Sequence, residues 1–336
     1  MKPDVITIEW TAEQGFRVQW RRLAAEQLFI GLGPAQVYPL VPQLFSLCGH
    51  AQALAARLAL EAAAGFPRPA SVEDIDILTL EAVRDTLRKV LLDWSLAFDG
   101  TPAPQAQLAQ WRDAQTLPAM AALAEERVFG MAPATWLSLG LNGWLDWLGA
   151  PHSGVARWLN SLRAAETGCL LLPVLDAANL AQLSATWFDA PLPEWRGMPC
   201  EVGALSREAE TLAPLLYGGQ LARARLLARL LQLARWLNGA RLSVETCGCG
   251  EGALARVDTA RGPLLHYAAL DGAGRIAHYR IQPPTAWHCH PHGVIVNTLN
   301  ARRDAPEAEW RRQVALIDPC IAYEMRLQPR HRFHPG

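Results

Sequence analysis

The chain has 336 residues, 51% of them apolar, and a formal charge of −1 at neutral pH. That length can bury a sizeable core, and the composition is that of a globular rather than a disordered protein. A charge near zero without any basic stripe argues against nucleic acid and anionic membrane surfaces as partners. The apolar run Leu170-Leu171-Leu172-Pro173-Val174-Leu175 is far too short to cross a bilayer, and no basic segment followed by an apolar one opens the sequence. A cytoplasmic protein without membrane insertion is therefore expected.

Taken in order, Val5-Ile6-Thr7-Ile8-Glu9-Trp10 is rich in β-branched and aromatic residues, and Gly15–Trp20 alternates apolar with polar; together they predict a hairpin. Pro39 and Pro42 keep the following segment irregular. Composition then predicts a helix over Gly49–Ala64. Ser71 with Asp74 reads as a capping box opening a long helix, with Leu80, Val83, Leu87, Val90 and Trp94 at helical spacing, that ends near Gly100. Shorter helices follow up to Arg163, and Cys169–Gly197 is less regular. Leu205–Asn238 is mostly helical, with Leu226, Leu230, Leu233 and Leu237 as a buried stripe. After Gly239 the period changes to that of strands, over Arg241–Thr246, Leu254–Asp258, Leu264–Leu270 and Arg275–Gln282, the last two joined by an Asp271–Gly274 turn. A short helix around Glu307–Ile317 leads to Asp318-Pro319-Cys320. The thirteen tryptophans are read as packing residues.

Seven cysteines, an odd number without disulfide-like spacing, are read as reduced, and any special ones as metal-binding or catalytic. Cys48 lies at a predicted helix N-terminus, where the helix dipole and free N–H groups favour a thiolate. His50 stands close enough in sequence to tune it or join it on a metal. Cys247-Gly248-Cys249 has metal-binding residue types but no second pair nearby, so zinc-type spacing is not met. His288-Cys289-His290-Pro291-His292 is rich in ligand types; if extended, its neighbouring side chains point to opposite faces.

Several segments occur in a telling order: Cys48 with Gln52-Ala53-Leu54-Ala55, Val202-Gly203-Ala204-Leu205-Ser206-Arg207, Asp258–Tyr267 containing Arg261-Gly262, Pro284-Thr285-Ala286-Trp287, and Asp318-Pro319-Cys320. Together they resemble the large subunit of [NiFe] hydrogenases. The resemblance implies an α+β fold of one domain over 1–336, with a mainly helical core and small antiparallel β elements near both termini, like a shortened large subunit. In that family, four cysteines hold nickel and iron. Here Phe45 and Tyr323 stand at two of the four positions, Gln52 and Arg326 at two histidine positions. Loss of two soft thiolates argues against nickel and against hydrogen activation. Because the histidine of the terminal motif is replaced, the mature chain is expected to keep Leu327–Gly336.

This pattern is similar to the HupK/HoxV hydrogenase maturation proteins. It implies a non-catalytic scaffold that holds or assembles an Fe(CN)2(CO) unit for the hydrogenase large-subunit precursor, working with maturation factors of the HypC/HypD type. Cys48 and Cys320 then hold the iron, with His50 as a possible third contact, and Arg261, Thr285 and Pro284 surround its anionic cyanides, which need donors. The plainer alternatives stay open. The two cysteines are inert remnants, Arg261 pairs with a carboxylate such as Asp258, Thr285 bonds backbone, and the chain is a metal-free partner of maturation factors.

Overall fold

Alternating side chains bring both ends of the chain into one sheet. The computed structural model describes residues 5–45, 48–149, 153–162, 182–190 and 192–327. Strand β1 (Val5–Thr11) turns Ile6, Ile8 and Trp10 inward, and β2 (Gly15–Arg21) pairs with it antiparallel, Ile8 opposite Val18. The third strand, β7 (Tyr323–Leu327), runs parallel to β1, with Ile6 opposite Tyr323 and Trp10 opposite Leu327. The expected antiparallel hairpin is thus present, and a third strand that the sequence did not announce joins it in parallel. Parallel neighbours need a long crossover, and nearly the whole chain supplies it. Trp310 packs beneath, against Trp10 and edge-on to Phe16.

The helical middle follows the sequence closely. Ser71 and Asp74 form the expected capping box, each side chain accepting from the other's N–H at 3.0 and 2.8 Å. The helix Val72–Arg88 continues into Trp94–Asp99 and stops at Gly100 in the left-handed conformation. Between the two lies a π turn, Lys89–Asp93. Such widened turns recur at functional sites, and Lys89 reaches from this one to Asp318. The Leu221–Leu237 helix buries Leu226, Leu230 and Leu233 completely, and with them Arg225 and Arg229. Trp136, Trp144 and Trp147 pack ring against ring at 5.5 Å.

The second sheet is an antiparallel meander, β3 (Val244–Cys249), β4 (Gly252–Thr259), β5 (Gly262–Leu270) and β6 (Ile276–Gln282). The first strand starts three residues later than the sequence suggests, so Cys247 and Cys249 lie on an outer strand. Strand β5 is buried on both faces. Leu265 and Tyr267 join a cluster with Phe188 and Trp287, whereas Leu264 and Ala268 join the main core, as does the Gly49–Ala63 helix. About half of the Cys169–Gly197 stretch falls outside the described residues, and the tail beyond Leu327 does so entirely. Among the described residues, no helix is long and apolar enough to cross a membrane.

Arg261 sits in the tight turn between β4 and β5, and a second loop presses against it. Gly203, at φ 107°, comes so near that an added Cβ would lie 2.8 Å from the Arg261 carbonyl. Only glycine tolerates both the angle and the approach. Gly203→Ala is expected to cost about 1–3 kcal/mol of stability from backbone strain, with a further loss from the clash. Urea unfolding of the variant checks this; an unchanged midpoint would refute the close approach.

Candidate functional site

The C-terminal half of the site is set by a helix end. The helix Glu307–Ile317 closes on Asp318, which adopts the left-handed conformation at φ 66°. Asp tolerates this angle better than most residues, and the sharp turn throws Pro319 and Cys320 back over the core. Thr285, second residue of the short Pro284–His288 helix, meets them there. Its hydroxyl donates to Cys320 Sγ at 2.9 Å and accepts from the Cys320 N–H at 3.1 Å. Thr285 is fully buried, and Pro284 beside it starts the helix with no N–H to leave unsatisfied. The backbone bond foreseen for Thr285 exists, and the thiol is bonded as well.

Cys48 caps the Gly49–Ala63 helix from the other end of the chain. The expectation that free N–H groups there stabilise its thiolate is corrected. Glu81 occupies them, its carboxylate accepting from the N–H of His50 at 2.9 Å and of Ala51 at 3.1 Å. Burial pushes the Cys48 thiol up to about 12, and the nearby charges of Cys320 and Glu81 push the same way. Gln52 and Arg261 oppose the shift. The two thiols, far apart in sequence, are therefore electrostatic neighbours, and Cys48 is protonated at neutral pH. His50 is drawn elsewhere: its Nε2 lies 3.1 Å from the Asp74 carbonyl oxygen. The side chain bonded to the Cys48 sulfur is Gln52, at 3.7 Å.

Arg261 is tied to Asp85 through both terminal nitrogens and stands 3.3 Å by its Nε from Asp318. Its carboxylate partner is thus not Asp258, which accepts from Arg256 at 2.8 Å. The Arg261 Nε is buried without a hydrogen-bond partner. Asp318 also receives Lys89 at 2.7 Å and Arg229 at 3.0 Å. Burial would raise the Asp318 carboxyl, but the three cations prevail and hold it at about 2. A cleft of about 1190 Å³ opens beside the site, with Arg261, Cys320 and Tyr323 facing Lys89, Leu92 and Phe98.

Of the remaining candidates, buried His288 borders this cluster and feels the charges of Asp318, Arg229 and Arg261, whereas Cys247 and Cys249 lie on β3. Cys249 donates to the Leu183 carbonyl at 3.2 Å, and burial raises both Cys247 and Cys249. The His288–His292 stretch is a helix end and turn rather than extended chain, with His290 Nε2 3.3 Å from Glu194. Among the described residues, no three His, Cys, Asp or Glu side chains converge as a metal site, and none of the six cysteines there is in a disulfide. Phe45 packs against the main core and Tyr323 opens β7. Asp85, Glu81, Lys89 and Arg229 carried no signal in the sequence. His266 did, as a lone polar residue within an apolar strand.

A HupK hydrogenase expression/formation protein from Rhizobium leguminosarum bv. viciae is 31% identical over 90% of this chain and 89% of its own. The chain belongs to the HupK/HoxV family. A HoxV protein from Cupriavidus necator is 29% identical over 89% of each chain, and a HupV protein from Azotobacter chroococcum 30% over 93% of each. No family model matches. The fold is that of the [NiFe] hydrogenase large subunit. An NAD+-reducing [NiFe]-hydrogenase superposes with a TM-score of 0.54 at 15% identity, over 91% of this chain and 92% of that one. The Ni-Fe-Se hydrogenase of D. vulgaris Hildenborough gives 0.54 at 13% identity, over the same shares. So this member of the HupK/HoxV family keeps that fold while placing two thiols, a threonine and an ion-paired arginine together.

Two outcomes follow from the electrostatics. Asp318→Asn keeps a side chain suited to the left-handed turn but removes the negative charge from two buried cations, Arg229 and Arg261, and from the half-buried Lys89. The loss of stability is expected at about 3–5 kcal/mol, measured by urea unfolding; a change under 1 kcal/mol would refute the central role of Asp318. The second concerns acid. Burial holds His266 down to about 3 and His288 to about 4, against an ordinary 6.5. Both are neutral when folded, so the unfolded chain binds more protons as pH falls below 6.5. Stability is full above that value and drops toward pH 4, by up to about 1.4 kcal/mol per pH unit for each histidine. Unfolding midpoints that stay level from pH 7 to 4 would contradict this.

Proposed function

We propose that this chain serves hydrogenase maturation as a non-catalytic holder of an Fe(CN)2(CO) unit, received with the help of HypC/HypD-type factors and passed to the large-subunit precursor. The observation that carries the reading is the convergence of Cys48 and Cys320 from opposite ends of the chain, beside the Thr285 hydroxyl and the Arg261 guanidinium. The names of its relatives, hydrogenase expression/formation proteins, support the same process.

The chemistry of the donors suits that cargo. An iron that arrives with three diatomic ligands needs few from the protein, and two thiols are what the site offers. A bare ion would need more, and no three-ligand group converges among the described residues. Cyanide carries negative charge to its nitrogen, which N–H donors in a dry pocket stabilise. The buried Arg261 Nε is such a donor, and Asp85 and Asp318 hold it in place. Nickel is not part of the reading, because Phe45 and Tyr323 supply no further thiolates.

A metal-free partner of maturation factors is the second reading, favoured by the protonated Cys48 and by the salt bridges that already compensate Arg261. Protein isolated without oxygen separates the two. The holder is expected to contain iron and show infrared stretches of iron-bound cyanide and carbon monoxide. Cys48→Ala and Cys320→Ala should each lose both. Thr285→Val, which keeps the thiols, should retain iron with shifted bands. Iron and bands unchanged in both cysteine variants, or absent from the natural chain, leave the metal-free reading standing.

A further inference from the structure

A buried chain of hydrogen bonds runs from the middle of the second sheet to Cys48. His266 lies on the face of β5 that meets the Gly49–Ala63 helix and is fully buried. Its Nδ1 is 2.8 Å from the hydroxyl of Tyr279, on the neighbouring strand β6. Its Nε2 is 2.9 Å from Gln52 Oε1. Gln52 follows Cys48 by one helical turn, and its own Nε2 lies 3.7 Å from the sulfur. Side chains on a helix lean back toward its N-terminus, which is how the amide reaches the residue four positions earlier.

We infer that Gln52 is a positioning residue for the Cys48 sulfur, its N–H directed at that sulfur while its oxygen faces the His266 imidazole. The inference rests on the thiol-site reading given above. A neutral imidazole has one donor and one acceptor nitrogen. The Gln52 oxygen can only accept, so Nε2 of His266 carries the hydrogen. Nδ1 is then the acceptor, and the Tyr279 hydroxyl donates to it. With the amide placed this way the whole chain runs in one direction, the Gln52 N–H pointing at Cys48.

A donor at that place complements a sulfur that carries negative charge or is bound to a metal. The opposite polarity would offer the sulfur the amide oxygen, which suits only an S–H. Buried polar groups are tolerated when every member is satisfied, and here the last member satisfied is the site thiol. Tyr279 is itself fully buried, with Phe29 packed edge-on at 5.1 Å. No water path is needed for the chain to form, and no charged group enters it.

Two measurements on the full-length protein test this. The first needs no metal. Nitrogen-15 NMR of histidine-labelled protein should show His266 protonated on Nε2. In Gln52→Leu that nitrogen loses its acceptor, and the hydrogen should move to Nδ1 to face Tyr279. An Nδ1–H tautomer in the natural chain would overturn the inference, because the amide would then be reversed.

The second uses the cadmium ion as a probe, followed by its thiolate charge-transfer band. Cadmium binding that disappears in Cys48→Ala and Cys320→Ala should weaken about 10- to 100-fold in Gln52→Leu, the usual loss when a partner of a metal ligand is removed. Gln52→His, which can return an N–H to the sulfur, should recover most of it. Binding that needs both cysteines but ignores residue 52 would overturn the positioning role and leave the thiol site intact. Binding indifferent to both cysteines would overturn the thiol site itself.

Discussion

Asp318 holds the site in place. One buried carboxylate faces Lys89, Arg229 and Arg261, which come from the π turn, the Leu221–Leu237 helix and the turn between β4 and β5. Removing these charges from water is costly, and the cost is recovered only while all of them stay together. The carboxylate therefore joins the last helix to three separate parts of the core. Its left-handed backbone then fixes the direction in which Pro319 and Cys320 leave. The position of the C-terminal thiol thus follows from a charge cluster rather than from the thiol's own packing.

The two thiols live in different surroundings. Cys320 has a hydroxyl donor at its sulfur and a guanidinium nearby. Cys48 is half-buried, with the Glu81 carboxylate capping the helix N–H groups that would otherwise help it. A thiol held in its protonated form is a poor nucleophile and resists chance oxidation. It also binds a thiophilic centre only by giving up its proton. On the proposed holder reading, protonation of Cys48 competes with the metal and favours release of the unit. A site with two ready thiolates would hold on more tightly.

Much of the fold was legible because its signals are local. The Ser71–Asp74 box, the stripe on the Leu221–Leu237 helix and the Asp271–Gly274 turn all depend on residues a few positions apart. The parallel pairing of β1 with β7 was not legible, since Tyr-Glu-Met-Arg-Leu alternates weakly and its partner lies some 300 residues away. The thiols, Arg261 and Thr285 were found through the order of motifs, not through any property of single residues. Their partners were missed for a physical reason: Asp85, Lys89 and Arg229 look like ordinary surface charges on amphipathic helices until tertiary packing buries them. Glu81 hid in the same way; burial of the thiol, together with Glu81 over the helix end, reversed the inference drawn there.

The two positions where the family's cysteines are missing have been absorbed into the structure. Phe45 packs against the main core, and Tyr323 is the first residue of the strand that closes the N-terminal sheet. An aromatic ring in either place does what a metal ligand cannot, adding apolar contact that holds its segment without an ion. A fold that depends on metal to join its two ends comes apart when the metal leaves. Here the ends are joined by a β pairing and by the Asp318 cations, contacts that do not pass through an ion. Joins of this kind suit the proposed holder, which has to keep its shape whether or not it carries its cargo.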